Sequence, residues 1–423
     1  MKFLNNLFKP IGATAVSIQG LRGTGNWATD ERPKDFRESI LWLNPNGDSP
    51  LTAFLGKLKS APLTDPEFSW WEEEMEPIKL LVNGAHTNAV TTLTVYPGSN
   101  NNSTGAFSVV KGDVLMVMTA TGIVTGEYMT VSADPTVDTA VPVTRGAAGS
   151  TAAVIADGAY VICVGSAFAE GTLSPSATNK NPTKYTNYAQ IFKTAYELAN
   201  TADNTKVRTG NARENDKKRQ MFNHSTKLEM AYLFGRANET VGTNGKPLRF
   251  TGGVFNFLKN QTKTFVKNGT GADAWTEDNF IDAIADCFNY TADGVGNERV
   301  VLCGNGALTA LNKLARNSAS TRVNFDGVVE AYGMKLQRWI LPQGTIYLRT
   351  HPLFNTNPVY QYAMLGLNMS GLRDRYLRKH TFKDNIQAPD SDTVKGQWIG
   401  ETGLEVNHTK THFVILNCGG TLG

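Results

Sequence analysis

Several places in this 423-residue chain combine residue types that could do chemistry. In RVVLCGNGALTAL, Gly304 and Gly306 stand between a strand-like run and a helix-like run, where a dinucleotide-binding fold would cradle a pyrophosphate. Thr309 replaces the third glycine of that fingerprint, and no acidic residue follows at the distance a ribose requires, so a plain helix start is the better reading. TNGKP (243–247) has the Gly-Lys of a phosphate loop, but Thr240 replaces its first glycine and Pro247 its Ser/Thr, and that reading is rejected. His408 and His412 are spaced to share a metal ion only on a helix. Their Thr/Val/Ile-rich surroundings favour a strand, so they are read as unligated surface histidines. There is no GxSxG elbow, and Cys163, Cys287, Cys303 and Cys418 form neither a CxxC pair nor a nucleophile signature. The expectation is no enzyme: no catalytic residue, no cofactor and no metal.

Two basic clusters remain. Lys217, Lys218 and Arg219 could meet nucleic-acid phosphates without reading bases, or could be an ordinary solvated face, and both readings stay open. Arg373, Arg375, Arg378, Lys379 and Lys383 are read as ion-paired between subunits, with Asp216 and Asp374 near, or as solvated.

The element that must position most of this is the stretch 211–239, NARENDKKRQMFNHSTKLEMAYLFGRANE, which reads as one long helix. Asn211 can cap it, with Glu214 three residues on as in a capping box. Met221, Leu228, Ala231 and Tyr232 fall on one face, Phe222, Met230, Leu233 and Phe234 widen it, and Gly235 or Gly242 can end the helix. Its first half is wet and basic, which suits a rod lying along a thin wall better than burial in one compact domain.

Residues 1–50 form an irregular arm punctuated by Gly and Pro, followed by a short helix at 51–59. EFSWWEEEME (67–76) reads as a strand, and 184–199 as its partner in a long hairpin. Phe68, Trp70, Trp71, Tyr188 and Phe192 are the aromatics that would anchor such a ribbon to a neighbouring subunit. Between the two strands, 91–170 carries short Val/Ile/Thr-rich runs at roughly ten-residue spacing, the pattern of a small β-barrel or sandwich. The remainder mixes helices (277–290, 307–316) with strands (299–303, 329–341, 344–349, 359–367), and 395–405 with 411–417 read as a final pair of strands.

Length implies two or three domains. The hydrophobic fraction of 41% marks a folded chain, the charged fraction of 19% leans toward burial against other subunits, and the net charge of +3 argues against a dedicated nucleic-acid binder. No signal-peptide core and no membrane-length apolar run occur, so the expected site of synthesis is the cytoplasm, with reduced thiols and no membrane partner.

Five segments, FSWWEEE (68–74), VTRGAAGSTAA (143–153) followed by Glu170-Gly171, NYAQIFKT (187–194), FTGGVFNFL (250–258) and WIGETGLEV (398–406), occur in an order that resembles the major capsid proteins of tailed bacteriophages with the HK97-type fold. The likeness spans nearly the whole chain and falls in the branch with a β-domain inserted in the extended loop. It implies an α+β, HK97-like fold with an N-terminal arm at 1–66, extended-loop strands at 67–90 and 171–200 and an inserted β-domain at 91–170. A peripheral domain with its spine helix would take 201–249 and 381–423, and an axial domain 250–380. It further implies a head protein that assembles as hexamers and pentamers into an icosahedral or prolate shell around double-stranded DNA, in the virion. The implied partners are further copies of itself, neighbouring capsomers, the portal, possible scaffold or cement proteins, and DNA held non-specifically. Some relatives crosslink through a Lys–Asn isopeptide bond; no matching lysine, asparagine and glutamate can be placed here, and none is expected. The competing readings are a tail-tube or decoration subunit, against which the long helix counts, and a soluble nucleotide-binding enzyme using the Gly304 turn.

Overall fold

The computed structural model describes residues 56, 60–73, 75, 77–100, 102–207, 209–290, 297–317, 325–331 and 334–420, with backbone alone at 315–317, 325–331 and 334–337. Of the arm expected at 1–66, residues 1–59, with the expected helix at 51–59, lie outside the described residues except for Gly56, and residues 60–66 are described. The chain divides into two units: residues 69–186, and the remainder.

In the first unit, alternating Val, Leu and Met side chains of short strands close a small barrel. Its strands are β3 (Lys79–Leu81), β4 (Thr92–Thr94), β5 (Asp113–Met118), β6 (Val124–Val131), β7 (Ala140–Thr144) and β8 (Tyr160–Ser166). They run in the order β3-β8-β5-β6-β7-β4, and the ends of that row meet: Asn83 N donates to Thr94 O at 3.0 Å and Tyr96 N to Leu81 O at 2.8 Å. Closure leaves no open sheet edge. Leu80, Leu93, Leu115, Met129, Val141 and Val161 fill the interior. The barrel takes in Lys79–Leu81, ahead of the expected start at 91.

One charge pair is buried beside that core. Arg145 lies with Nε and Nη2 against the two carboxylate oxygens of Glu127, the latter at 2.8 Å, and Nη1 donates to Thr87 O at 2.9 Å. Ala153 N donates to the same carboxylate at 3.0 Å. Burial would raise the Glu127 pKa, but the bonds from Arg145 and the backbone outweigh it and hold the carboxyl below its ordinary value. The segment VTRGAAGSTAA is therefore a loop folded around its own arginine.

Strand β2 (Glu67–Glu72) pairs with β9 (Thr183–Tyr188) as a two-stranded ribbon, and the barrel is inserted in the chain between them. Ser69 Oγ lies 3.0 Å from Thr186 Oγ1, and Trp70 stacks on Tyr185 with ring centroids 5.9 Å apart. The ribbon is shorter than the expected hairpin. Residues of β10 (Gln190–Ala199) leave it to pair antiparallel with β20 (Thr393–Val406), because Phe192, Thr194 and Tyr196 on one side of β10 are buried in the second unit.

The second unit holds two larger sheets and a small hairpin among the described residues. A four-stranded one runs β1-β19-β20-β10, with β1 at Ala61–Pro62 and β19 at Leu372–Lys383. A seven-stranded mixed sheet runs β13-β21-β18-β14-β17-β16-β15, built from Thr262–Thr264 (β13), Glu298–Cys303 (β14), Phe325–Ala331 (β15), Met334–Ile340 (β16), Thr345–Thr350 (β17), Met364–Leu367 (β18) and Phe413–Leu416 (β21). The two C-terminal strands therefore do not pair with each other; β20 and β21 serve different sheets. Of the strand expected at 359–367 only Met364–Leu367 is extended, after a 3-10 turn at Tyr360–Tyr362.

The long helix spans Ala212–Phe234. Asn211 Oδ1 accepts from Glu214 N at 3.3 Å, and Gly235 ends the helix five residues before the expected limit. A side chain at 235 would collide with Ala231 O and Thr251 O, so the chain turns there into the hairpin β11 (Asn238–Val241) and β12 (Pro247–Phe250). The helix's buried residues are His224, Glu229, Tyr232 and Leu233, whereas the expected apolar residues Met221, Phe222 and Met230 are exposed.

Asn187 ties these parts together. Fully buried at the end of the β9 run, it donates Nδ2 to Gly252 O at 3.0 Å and to Leu404 O at 2.6 Å, and its Oδ1 accepts from Gly252 N at 2.6 Å. Gln190 Oε1 accepts from Thr251 N at 3.1 Å, and a side chain at Gly253 would strike Leu233 O. Three of the recurring segments, NYAQIFKT, FTGGVFNFL and WIGETGLEV, thus meet at one asparagine.

Two outcomes follow. Asn187→Ala leaves several buried backbone groups unpaired and should cost at least ~2 kcal/mol in denaturant unfolding of the unassembled chain. Arg145→Met strands a buried carboxylate and should cost ~3–5 kcal/mol, read in the barrel's own transition, whereas the double change Arg145→Met with Glu127→Leu should recover most of it.

Candidate assembly surface

Alternation along β2 sorts the ribbon aromatics. Phe68 and Trp70 point inward, with Trp70 only 9% exposed and its Nε1 donating to Glu72 Oε1 at 2.8 Å, while Trp71 is 63% exposed. Phe192 is buried against the His380 ring and Tyr188 is half-buried. Of the five aromatics singled out, Trp71 is the one presented outward. Glu67, Ser69 and Glu73 share its register and are also exposed, so this face is acidic with one indole in it.

The basic residues divide in the same way. Lys217 Nζ sits 4.0 Å over the Phe382 ring, within a group completed by Tyr196 and Trp398, so its charge is directed into the second unit's own surface. Lys218 and Arg219 are exposed, and Arg219 Nη1 lies 2.9 Å from Asp216 Oδ1. On β19, Arg375 and Arg378 pair with Glu405 (3.3 Å) and Glu401 (2.8 Å) across the ladder to β20, and Lys379 covers the Tyr376 ring. These partners are intrachain, unlike the intersubunit pairing expected from Asp216 and Asp374. Asp374 instead accepts from Tyr232 Oη at 2.7 Å.

The remaining chemistry-bearing residues are structural. A side chain at Gly304 would strike Gln361 O and one at Gly306 the Tyr362 ring, while Asn355 Oδ1 accepts from Asn305 N at 2.7 Å at the helix start. Close packing accounts for both glycines. His412, expected at the surface, is buried: its Nδ1 accepts from Asn368 N at 3.0 Å, its Nε2 lies 3.0 Å from Asn407 O, and burial pulls its pKa to about 4. Among the described residues no cluster of three metal-ligating side chains occurs, and no helix is long and apolar enough to cross a membrane.

What sequence periodicity did not reveal is a polar network fastening the long helix to the four-stranded sheet. Thr194 Oγ1 lies 3.2 Å from His224 Nδ1, His224 Nε2 lies 2.9 Å from His380 Nδ1, and His380 Nε2 lies 3.2 Å from Thr402 Oγ1, which in turn accepts from Tyr232 Oη at 2.8 Å. One ring of the histidine pair must donate and the other accept, so at least the accepting ring is neutral. Burial and the neighbouring His224 pull His380 down to about 4; burial and Lys227 lower His224. A second buried pair, Glu229 with His351 at 2.9 Å, fastens the same helix to the loop after β17.

Also unforeseen was the β11–β12 hairpin, whose Val241 is 77% exposed and Leu248 and Phe250 are partly so. Its signal was present: Asn244-Gly245, with Gly245 at φ +70°, is a tight-turn dipeptide between β-forming residues. The hairpin, the Gly235 turn and β10 enclose an open cleft of about 320 Å³.

The family model of the SU10 major capsid protein matches residues 15–419, and the chain belongs to that family. A major capsid protein of Pseudomonas phage PaMx41 is 28% identical over 331 residues, covering 76% of this chain and 73% of that one. Solved structures from Microbacterium phage Oxtober96 (TM-score 0.43, 11% identity, 93% of this chain and 98% of that chain) and Mycobacterium phage Bobi (TM-score 0.42, 11% identity, 93% and 98%) are similar. The chain is thus a phage major capsid protein, α+β in structure, a virion component that self-assembles into the capsomers of the head.

The histidine pair sets a pH dependence. Its pKa values in the fold lie below the unfolded value, so unfolded chains bind more protons as pH falls from about 6.5. The pair's stabilisation is complete above that value and is lost as pH drops toward about 4. The melting temperature should fall over that window, and His380→Gln should flatten the fall in part, with His224 and His412 still contributing.

Proposed function

We propose that the copies overlap through the ribbon: the outward face of β2, carrying Trp71, lies on a neighbouring subunit while the opposite face packs within its own chain. The single observation behind this reading is the burial alternation along EFSWWE, in which two adjacent tryptophans take opposite environments. A solvated indole flanked by carboxylates keeps an unassembled subunit soluble, yet offers the large rigid contact that interfaces favour. Each such contact is modest, and repetition around a closed shell makes the sum strong.

The finer assignments follow the same reading. Residues 1–66 act as an arm over neighbours, 67–90 and 171–200 as the extended loop, 91–170 as an inserted module, 201–249 with 381–423 as the peripheral part and 250–380 as the axial part. Hexamers and pentamers close the shell around double-stranded DNA, with the portal and a scaffold or cement protein as further partners. The protein is made in the bacterial cytoplasm and works without catalysis. With Lys217 held over Phe382, any phosphate contact from the basic cluster at 217–219 falls to Lys218 and Arg219, by charge alone.

Assembly of the purified chain tests the ribbon. Trp71→Ala should leave the melting curve of the unassembled subunit unchanged, because the side chain contributes little to its own fold. Removing an aromatic anchor costs an interface ~2 kcal/mol or more, so closed shells seen by electron microscopy should become scarce at concentrations where the parent chain assembles. Shells of Trp71→Ala at parental yield would refute the overlap.

A further inference from the structure

The ribbon needs a receiving surface, and the cleft beside the long helix has the complementary chemistry. It is lined by Gln190, Gly235, Arg236, Asn238, Phe250 and Thr251. At about 320 Å³ it stands at the low end of the ~300–1,000 Å³ typical of pockets that take a ring-bearing group. Phe250 offers a partly exposed aromatic wall. Gln190 has its Oε1 engaged by Thr251 N, so the group it still offers is its NH₂, a donor. Arg236, just past the Gly235 turn, is exposed, and no carboxylate among the described residues pairs with it, whereas Arg249 on the adjacent hairpin is matched to Glu239 at 2.6 Å. The cleft therefore presents a guanidinium and an amide donor beside an aromatic wall. Its complement is an aromatic ring with a carboxylate close by.

We infer that this cleft receives Trp71 of a second copy of the chain, with Glu73 of that copy pairing with Arg236. This rests on the ribbon reading above and adds its acceptor. Trp71 and Glu73 lie two residues apart on one face, about 7 Å along an extended chain, so the indole and the carboxylate can reach the same small site together. Arg236 can then meet the carboxylate through its planar fork while its face lies against the indole, the two geometries in which arginine binds best. Donor and acceptor surfaces are different parts of one sequence, so the contact is head-to-tail. Such a contact closes into rings when its rotation permits, as a capsomer requires.

Charge exchange in the full chain is the test, read as shell yield at fixed subunit concentration. Arg236→Glu and Glu73→Arg should each lower the yield about tenfold or more, since each sets like charges against one another at every contact. The chain carrying both changes should recover to within about twofold of the parent, as coupled partners do. Melting curves of the unassembled variants control for folding. A second readout does not depend on charge: tryptophan emission should shift to the blue on assembly, and Trp71→Phe should remove most of that shift. Parental yield from Arg236→Glu, no recovery in the double variant, or an unchanged shift in Trp71→Phe would each overturn the assignment. If Trp71→Ala and Glu73→Arg lose assembly while Arg236→Glu keeps it, the ribbon still overlaps its neighbour, and this cleft is not where it lands.

Discussion

The second unit depends on a side-chain amide. Asn187 reaches the backbone of Gly252 and of Leu404 from one buried position, binding a strand exit, a glycine turn and the C-terminal end of β20. Each of those backbone groups would otherwise be a buried donor or acceptor without a partner, and no apolar residue could replace the arrangement. The glycines around it are small for the same reason. A side chain at 253 would enter the carbonyls of the long helix, and one at 403 would strike the Phe68 ring and Tyr188 O. NYAQIFKT, FTGGVFNFL and WIGETGLEV are thus parts of one joint, and their glycines and amides serve clearance and hydrogen bonding.

From that joint the long helix runs along the four-stranded sheet, held by the apolar burial of Tyr232 and Leu233 and by polar contacts. His224 meets His380, Tyr232 meets Asp374 and Thr402, and Glu229 meets His351. Directional bonds of this kind set one rotation of the helix, which leaves Met221, Phe222, Lys218 and Arg219 together on the outward side. Neutral histidines also make the attachment sensitive to acid. The barrel is independent in this respect: it has its own apolar interior and its own buried ion pair.

Much of this was legible in the residues. The capping asparagine and closing glycine of the long helix, the short strands of the barrel and the strand–helix passage at Gly304 all follow from local pattern. The misreadings share one cause. Apolar spacing placed Met221, Phe222 and Met230 on the buried face with Leu228, Tyr232, Leu233 and Phe234; the last four do join or pack on the core, but further up the helix the buried positions are the polar, bonded His224 and Glu229, which periodicity cannot register. Residues 190–199 look like a continuation of the ribbon because a strand's alternation does not name its partner; only the fit of Phe192, Thr194 and Tyr196 against the helix and β19 assigns them to the other sheet. His412 resembles a surface residue in sequence and is buried because Asn368 and Asn407 satisfy both its ring nitrogens.

The account separates contacts that build the subunit from contacts that build the shell, and amide hydrogen exchange on free subunits and on assembled shells tests that separation directly. The Gly252 amide, bound to Asn187, should be protected in both states, while the protection of amides at 69–73 should rise on assembly above what the β2–β9 pairing gives. Equal protection of 69–73 in free and assembled chains, or a Gly252 amide that becomes protected only on assembly, would contradict it.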